Sequence, residues 1–204
     1  MTSQEFLDSF IFSELTEESL SLCEPFDCGH EDLNDFFNND AVKYTNKMLG
    51  RTYVFSPIDN PKSIACAFSI SNDSLRITDL SNRKQEVFRT ENDLGEKRLK
   101  RYPGILIGRL AVSEEMAHKG IGTALMNFMK IWLSRGNKAG CRFLIVDARN
   151  APEVLAYYQK NGFDFLFISE EEESISTRKD KGVVKQKTRL MYYDIKKMNN
   201  IKDL

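Results

Sequence analysis

Two glycines, Gly120 and Gly122, stand in the stretch AHKGIGTALM, directly before a segment with helical periodicity. A glycine-containing turn at a helix N-terminus presents backbone N–H groups to a phosphate, and the helix dipole adds positive potential there. Glycine lets the phosphate approach closely because it has no Cβ, and Lys119 adds a mobile positive charge. The spacing indicates an anion-binding turn over residues 117–123, although glycines at such positions also serve helix packing alone.

Two apolar segments flank this turn and must position it. The stretch GILIGRLAV, residues 104–112, is almost continuously apolar, which predicts a buried central strand. After the turn, the segment RGNKAG ends a predicted helix. One apolar face of this helix is formed by Ile121, Leu125, Phe128, Met129 and Trp132.

The rest of the chain alternates between apolar periodic segments and polar ones. Further strands are predicted at 10–15, 51–56, 63–70, 141–148, 163–168 and 187–195, and further helices over 30–48 and 151–162. Two polar segments, 79–101 and 169–182, are predicted to form a long irregular insertion and a polar excursion. This order predicts an α/β (α+β) fold with a mixed sheet covered by helices, and the absence of a G-x-G-x-x-G motif argues against a Rossmann fold.

The composition limits which classes of protein this chain can belong to. With 204 residues, 41% of them hydrophobic, the chain is predicted to form one domain over 1–204. No apolar run approaches the ~18 residues of a membrane span, and the first residues lack the pattern of a signal peptide, so a cytoplasmic protein without a membrane partner is expected. Cys23, Cys28 and His30 lie close together, but a second ligand cluster is missing, so free thiols and no metal site are predicted.

The charges are distributed unevenly along a chain whose net charge is -1. Residues 1–40 carry only acidic charges, so all 29 Lys and Arg residues lie in the remainder. Such an asymmetry can mark a polyanion-binding surface, but the pattern favours ordinary solvated helix faces.

Two stretches, GRLAVSEEMAHKGIGTALM and NAPEVLAYYQKNGF, resemble the pyrophosphate loop and a downstream helix of the GNAT superfamily of N-acetyltransferases. In the loop pattern Gln/Arg-x-x-Gly-x-Gly/Ala both glycines match, whereas Ala117 stands at the Gln/Arg position. The resemblance covers 104–168 best. It implies an acetyl-CoA-dependent enzyme with a mostly antiparallel GNAT-like sheet, which transfers acetyl directly to a primary amine.

The resemblance also implies roles for individual residues. The backbone of Leu110, Ala111 and Val112 would bind the pantetheine arm like an added strand, with the Val112 N–H polarising the thioester carbonyl. Tyr158 would protonate the departing thiolate as general acid, and Tyr157 is expected to be a core ring. The remaining predicted acetyl-CoA contacts are Ala117, His118, Lys119, Gly120, Ile121, Gly122, Thr123 and Asn150.

A closer resemblance, carried by EPFDCGHEDLNDFF, is to the toxin branch of the superfamily, whose members acetylate aminoacyl-tRNA and are neutralised by antitoxins. Contacts to tRNA phosphates would then come from the segment 178–189 and from Lys97, Arg98, Lys100 and Arg101. A small amine, a peptide N-terminus and a lysine remain open as acceptors, as does a homodimer. A non-catalytic acyl-CoA-binding or RNA-binding module is the rival class. Acceptor pockets are expected around 30–50, 75–100 and 170–185.

Overall fold

The computed structural model describes residues 1–91, 99–135, 140–177 and 186–200. The α-helices are α1 (Ser3–Ser9), α2 (Glu17–Leu22), α3 (Glu31–Asp35), α4 (Ala41–Asn46), α5 (Asn82–Glu91), α6 (Ile121–Ser134), α7 (Pro152–Lys160) and α8 (Glu170–Thr177). The strands are β1 (Phe10–Glu14), β2 (Arg51–Pro57), β3 (Cys66–Arg76), β4 (Arg101–Val112), β5 (Phe143–Arg149), β6 (Asp164–Phe165) and β7 (Thr188–Asp194).

The chain divides into two compact units, and β3 and β4 each contribute residues to both. The first unit comprises Met1–Ser71 and Ile107–Arg135 and has the strand order β1-β2-β3-β4. The β1/β2 and β2/β3 pairs are antiparallel. One face of this sheet packs Tyr53 and Phe68 against Trp132 of α6. The alternate residues, such as Val54 and Ala67, face a core formed with α3 and α4.

The second unit comprises Asn72–Leu106 and Gly136–Leu204. Its strand order is β3-β4-β5-β7-β6, and β7 pairs antiparallel with both β5 and β6. Its core contains Leu75, Phe88 and Phe143, so α5, β3 and β5 all contribute to it. Both units have strands flanked by helices, which confirms the predicted mixed, mostly antiparallel α/β architecture. That the whole chain is one domain stays a prediction.

Three local predictions are wrong. The supposed irregular insertion 79–101 contains α5, and the supposed polar excursion 169–182 contains α8. The strand predicted at 163–168 is limited to Asp164–Phe165, because the chain leaves the sheet after this pair. Both missed helices are short and strongly polar, so their sequences lack a wide apolar stripe. Within the described ranges, no helix is long and apolar enough to cross a membrane.

The helix α5 is held in place mainly by Phe88, which is 2% exposed. The Phe88 ring lies 5.3 Å from Tyr192 and 5.8 Å from Phe143, centroid to centroid. We expect Phe88→Ala to lower the free energy of unfolding by about 3–5 kcal/mol, because the cavity would remain among rigid strands. Urea denaturation would measure this loss. The control Val87→Ala, at a half-exposed position of the same helix, should change stability by less than about 0.5 kcal/mol, and equal losses would contradict the anchoring role of Phe88.

Candidate active site

The C-terminal end of β4 is unusually open for a central strand. Ala111 is 5% exposed and packs in the core of the first unit, whereas Leu110 and Val112 are only partly buried. Directly after the strand, the Ser113 N–H donates to the Ala65 carbonyl at 2.8 Å. The side chains of residues 110 and 112 are thus less covered than those of a fully buried strand.

The glycine turn connects β4 to α6 through a tight backbone path. A 3₁₀ turn at Glu114–Met116 is followed by His118, whose φ is +61°, and by Gly120, whose φ is +81°. A positive φ is strained for most residues that have a Cβ and is readily adopted by glycine. Gly120 is the N-cap of α6, and the Ala124 N–H donates to its carbonyl at 3.1 Å. The sequence-predicted turn is therefore a left-handed connection that ends at a helix N-terminus.

The electrostatics of the turn come from its backbone and one lysine. Gly120 has no side chain with which to cap the first turn of α6, and the positive end of the helix dipole lies at this turn. Lys119 is exposed, and its Nζ lies 3.9 Å from the Met116 Sδ. Glu114 and Glu115 are also exposed.

Tyr158 lies on α7 in the second unit. Its side chain is 7% exposed, and its ring centroid lies 5.3 Å from that of Phe163 and 5.2 Å from that of Tyr157. Burial raises the pKa of the Tyr158 phenol, so the hydroxyl keeps its proton at neutral pH. The expectation for Tyr157 is wrong: it is partly exposed, because adjacent residues on a helix point about 100° apart and Tyr158 takes the inward direction.

Asn150 also belongs to the second unit. Its Nδ2 donates to the Gln186 carbonyl at 2.8 Å, and its N–H donates to the Lys187 carbonyl at 2.9 Å. These two bonds join the end of β5 to the segment that leads into β7. The amide donor predicted to contact acetyl-CoA is thus used within the fold, and a direct role for Asn150 stays a prediction.

Residues 84–164 match the family model of the acetyltransferase (GNAT) domain. This part of the chain is similar to the GNAT acetyltransferase domain. The matched range begins in α5 and ends at β6, so it contains β4, the glycine turn and Tyr158.

The likeness to solved structures extends beyond this range. The structure of AtaT complexed with acetyl-methionyl-tRNAfMet is 17% identical in sequence, with a TM-score of 0.68, and the match covers 95% of this chain and 99% of that one. The structure of AtaTR bound with AcCoA is 16% identical, with a TM-score of 0.68 and coverage of 96% and 99%. A KacT mutant is 16% identical, with a TM-score of 0.67 and coverage of 95% and 99%.

The basic residues predicted to contact tRNA are described only in part. Lys100 and Arg101 are exposed. Lys97, Arg98 and most of the segment 178–189 lie outside the described residues, so their role in binding tRNA stays a prediction.

Cysteines and histidines near one another in sequence could suggest a metal site. In the described part of the chain, no group of three or more His, Cys, Asp or Glu side chains is placed to hold a metal ion. Cys28 instead contacts Asn34, with 3.1 Å between its Sγ and the Asn34 Oδ1. Burial raises the pKa of the Cys28 thiol, and Cys23, Cys28, Cys66 and Cys141 are free.

Arg109 is a candidate functional residue that was not predicted from the sequence. It lies on β4 immediately before the proposed pantetheine-binding residues, and its guanidinium carbon is 5.1 Å from the Phe36 ring centroid. A signal was present in the sequence, because Arg109 is the single charge inside the otherwise apolar run GILIGRLAV. A charge in a predicted central strand requires either an ion-pair partner or a ligand.

Proposed function

We propose that this protein transfers the acetyl group of acetyl-CoA to the amino group of an aminoacyl-tRNA. The observation that carries the proposal is the likeness to AtaT complexed with acetyl-methionyl-tRNAfMet, which extends over 95% of this chain rather than over the acetyl-CoA-binding core alone.

Acetyl-CoA binding is assigned to the open end of β4 and to the glycine turn. The backbone of Leu110, Ala111 and Val112 would pair with the pantetheine amides, as an added strand does. Residues 117–123 would receive the pyrophosphate at the N-terminus of α6, where the dipole and the first-turn N–H groups favour an anion. The structures of AtaTR with AcCoA and of an AtaT mutant with acetyl-CoA support this choice of acyl donor.

The chemical step is a direct transfer. The acceptor amine attacks the thioester carbonyl carbon and forms the new C–N bond, while the C–S bond breaks. The Val112 N–H would stabilise the negative charge on the carbonyl oxygen. Tyr158 would donate its phenolic proton to the leaving thiolate, and the attacking amine would lose its extra proton to water. The products are an N-acetylated aminoacyl-tRNA and free CoA.

The test is a comparison of acceptors with labelled acetyl-CoA. We expect label to appear in charged tRNA, in a form released with the aminoacyl group by mild base, and not in uncharged tRNA. The uncharged tRNA is the matched control because it has the same phosphates without the amine. Labelling of small amines or peptides alone would overturn the tRNA acceptor and retain the acetyltransferase, whereas acetyl-CoA binding without transfer to any acceptor would indicate a non-catalytic module.

An antitoxin partner is a further part of the proposal. An AtaT mutant toxin bound to the C-terminus of the antitoxin AtaR is 18% identical, with a TM-score of 0.63 and coverage of 95% of this chain. This likeness, together with the resemblance of the N-terminal segment to the toxin branch, supports an antitoxin as a partner. A homodimer stays a prediction.

A further inference from the structure

We propose that Arg109 binds a phosphate of the acceptor, namely the phosphodiester nearest the aminoacyl end of the charged tRNA. This inference rests on the proposed function, and it assigns to the acceptor a binding residue that lies outside the acetyl-CoA-binding residues. It starts from the charge of Arg109, for which the described residues provide no carboxylate partner.

Arg109 is partly buried and has no carboxylate partner within the part of the chain that the structure describes. Its Nη1 donates to the carbonyl of its own neighbour Gly108 at 2.9 Å, and its buried Nε has no hydrogen-bond partner among the described residues. Other arginines with little exposure are paired: Arg189 with Glu173 at 2.8 Å, and Arg142 with Asp194 at 2.7 Å. An unpaired guanidinium in this setting reduces stability, so its retention points to an anionic ligand.

The position of Arg109 on β4 separates it from the acetyl-CoA phosphates. Residues 110–112 follow it directly, and the glycine turn begins only at Ala117. With a rise of about 3.3 Å per residue in a strand, Arg109 lies roughly 10 Å upstream of Val112 along β4. The proposed thioester position at the Val112 N–H and the proposed pyrophosphate position at the turn both lie on the C-terminal side of Arg109. The anion at Arg109 therefore belongs to the acceptor rather than to the CoA phosphates.

The Phe36 ring in the first unit lies against the side chain of Arg109 and orients it. Residues 109 and 111 share one face of β4, and this face packs against Phe36 at the start of a π-helical turn, Phe36–Asp40. The Phe36 ring also contacts Tyr44, and their ring centroids are 5.3 Å apart. Tyr44 is 44% exposed. A fixed guanidinium beside an exposed aromatic ring is the combination that binds unpaired nucleotides, through the phosphate and the base respectively.

The chemistry of the acceptor selects a phosphate over a carboxylate. In an aminoacyl-tRNA the carboxyl group of the amino acid is esterified and carries no charge. The anion closest to its amine is then the phosphodiester that joins the last two nucleotides. Arginine suits this group because its planar fork donates several hydrogen bonds to phosphate oxygens.

The test compares Arg109→Gln and Arg109→Lys with the wild type on two acceptors. One acceptor is charged tRNA, and the other is puromycin, an aminoacyl-nucleoside analogue with a free amine and no phosphate. We expect Arg109→Gln to lower kcat/KM for charged tRNA about 30-fold, mostly through KM, with a loss at least about tenfold smaller for puromycin. Arg109→Lys should recover part of the loss because it keeps the charge without the fork.

Two further measurements separate ligand binding from a structural role. We expect Arg109→Gln to weaken the salt dependence of charged-tRNA binding by about 0.7 in the log–log slope, the value for one phosphate of a single strand. We also expect its Tm to stay equal or to rise, because an unpaired charge is removed. The matched control is Arg51→Gln, which removes an exposed arginine already paired with Glu14 at 2.7 Å; it should leave the slope within about 0.2 of the wild-type value.

The possible failures are distinguishable. Equal losses on both acceptors, or a lower Tm with an unchanged salt slope, would overturn the role of Arg109 and leave the proposed function standing. If the wild type does not acetylate charged tRNA at all, the proposed function fails and the inference fails with it.

Discussion

Replacing Tyr158 by phenylalanine is expected to lower kcat about 100-fold or more while leaving acetyl-CoA affinity nearly unchanged. The substitution keeps the ring and removes only the hydroxyl, so it removes the proposed proton donor without opening a cavity. Single-turnover kinetics with labelled acetyl-CoA would measure the chemical step, and calorimetry would measure the affinity. The other ring contacts of Tyr158, with Tyr157 and Phe163, do not depend on the hydroxyl.

The environment of Tyr158 fits a proton donor. An unperturbed phenol has a pKa near ~10, and burial raises the pKa of Tyr158 above that value because the phenolate would be poorly solvated. The acid form is therefore present throughout the neutral and mildly alkaline range. We expect no loss of kcat between pH 7 and about 9.5 from ionisation of this residue, and a fall in that range would indicate another essential acid.

Tyr157→Phe is the matched control for this prediction. Tyr157 precedes Tyr158 on α7 and is partly exposed. Tyr157→Phe therefore removes a phenolic hydroxyl from the same helix, but from a side chain that points in another direction. The kcat of the Tyr157→Phe variant should stay close to that of the wild type. If the control were the slow variant, the orientation assigned to α7 would be wrong, and if neither variant were slow, water would have to protonate the thiolate.

Elements with a wide apolar face could be predicted from the sequence, and elements held by one or two buried residues could not. The strand β4 and the helix α6 follow from local patterns, since most of their inward positions are apolar. In α8, by contrast, the inward position is Glu173, which is 2% exposed and bonds to Arg189 at 2.8 Å. Four consecutive glutamates predict a solvated segment, and only the distant arginine on β7 makes one of them a buried residue.

The same distinction applies to the site. The glycine turn could be predicted because its conformation depends on residues adjacent in sequence, and Gly120 has the positive φ that its type suggests. For Arg109 the sequence gives only part of the signal, namely a single charge in an otherwise apolar run. Its unpaired state depends on which carboxylates lie near it in the folded chain, and neither spacing nor residue type reports this.

Replacing Gly120 by valine is expected to weaken acetyl-CoA binding by about 30-fold or more in a protein that still folds. The backbone at Gly120 has a φ of +81°, which a β-branched residue adopts only under strain. The added Cβ would lie 3.7 Å from the nearest backbone atom, an ordinary contact, so the substitution does not fail for lack of space. The turn must instead shift to relieve the strain, and the first-turn N–H groups of α6 would move with it.

The control for this prediction reproduces the strain away from the proposed phosphate site. Gly140 has a φ of +74°, and a Cβ there would meet nothing within 4 Å. Gly140→Val should therefore lower the Tm by an amount similar to Gly120→Val while keeping the acetyl-CoA affinity of the wild type. Lys119→Ala should weaken binding only severalfold, since an exposed lysine beside a phosphate contributes less than the oriented backbone. If calorimetry gave the same affinity for the two valine variants, the glycine turn would not be the pyrophosphate site, and residues 117–123 would have only the structural task of starting α6.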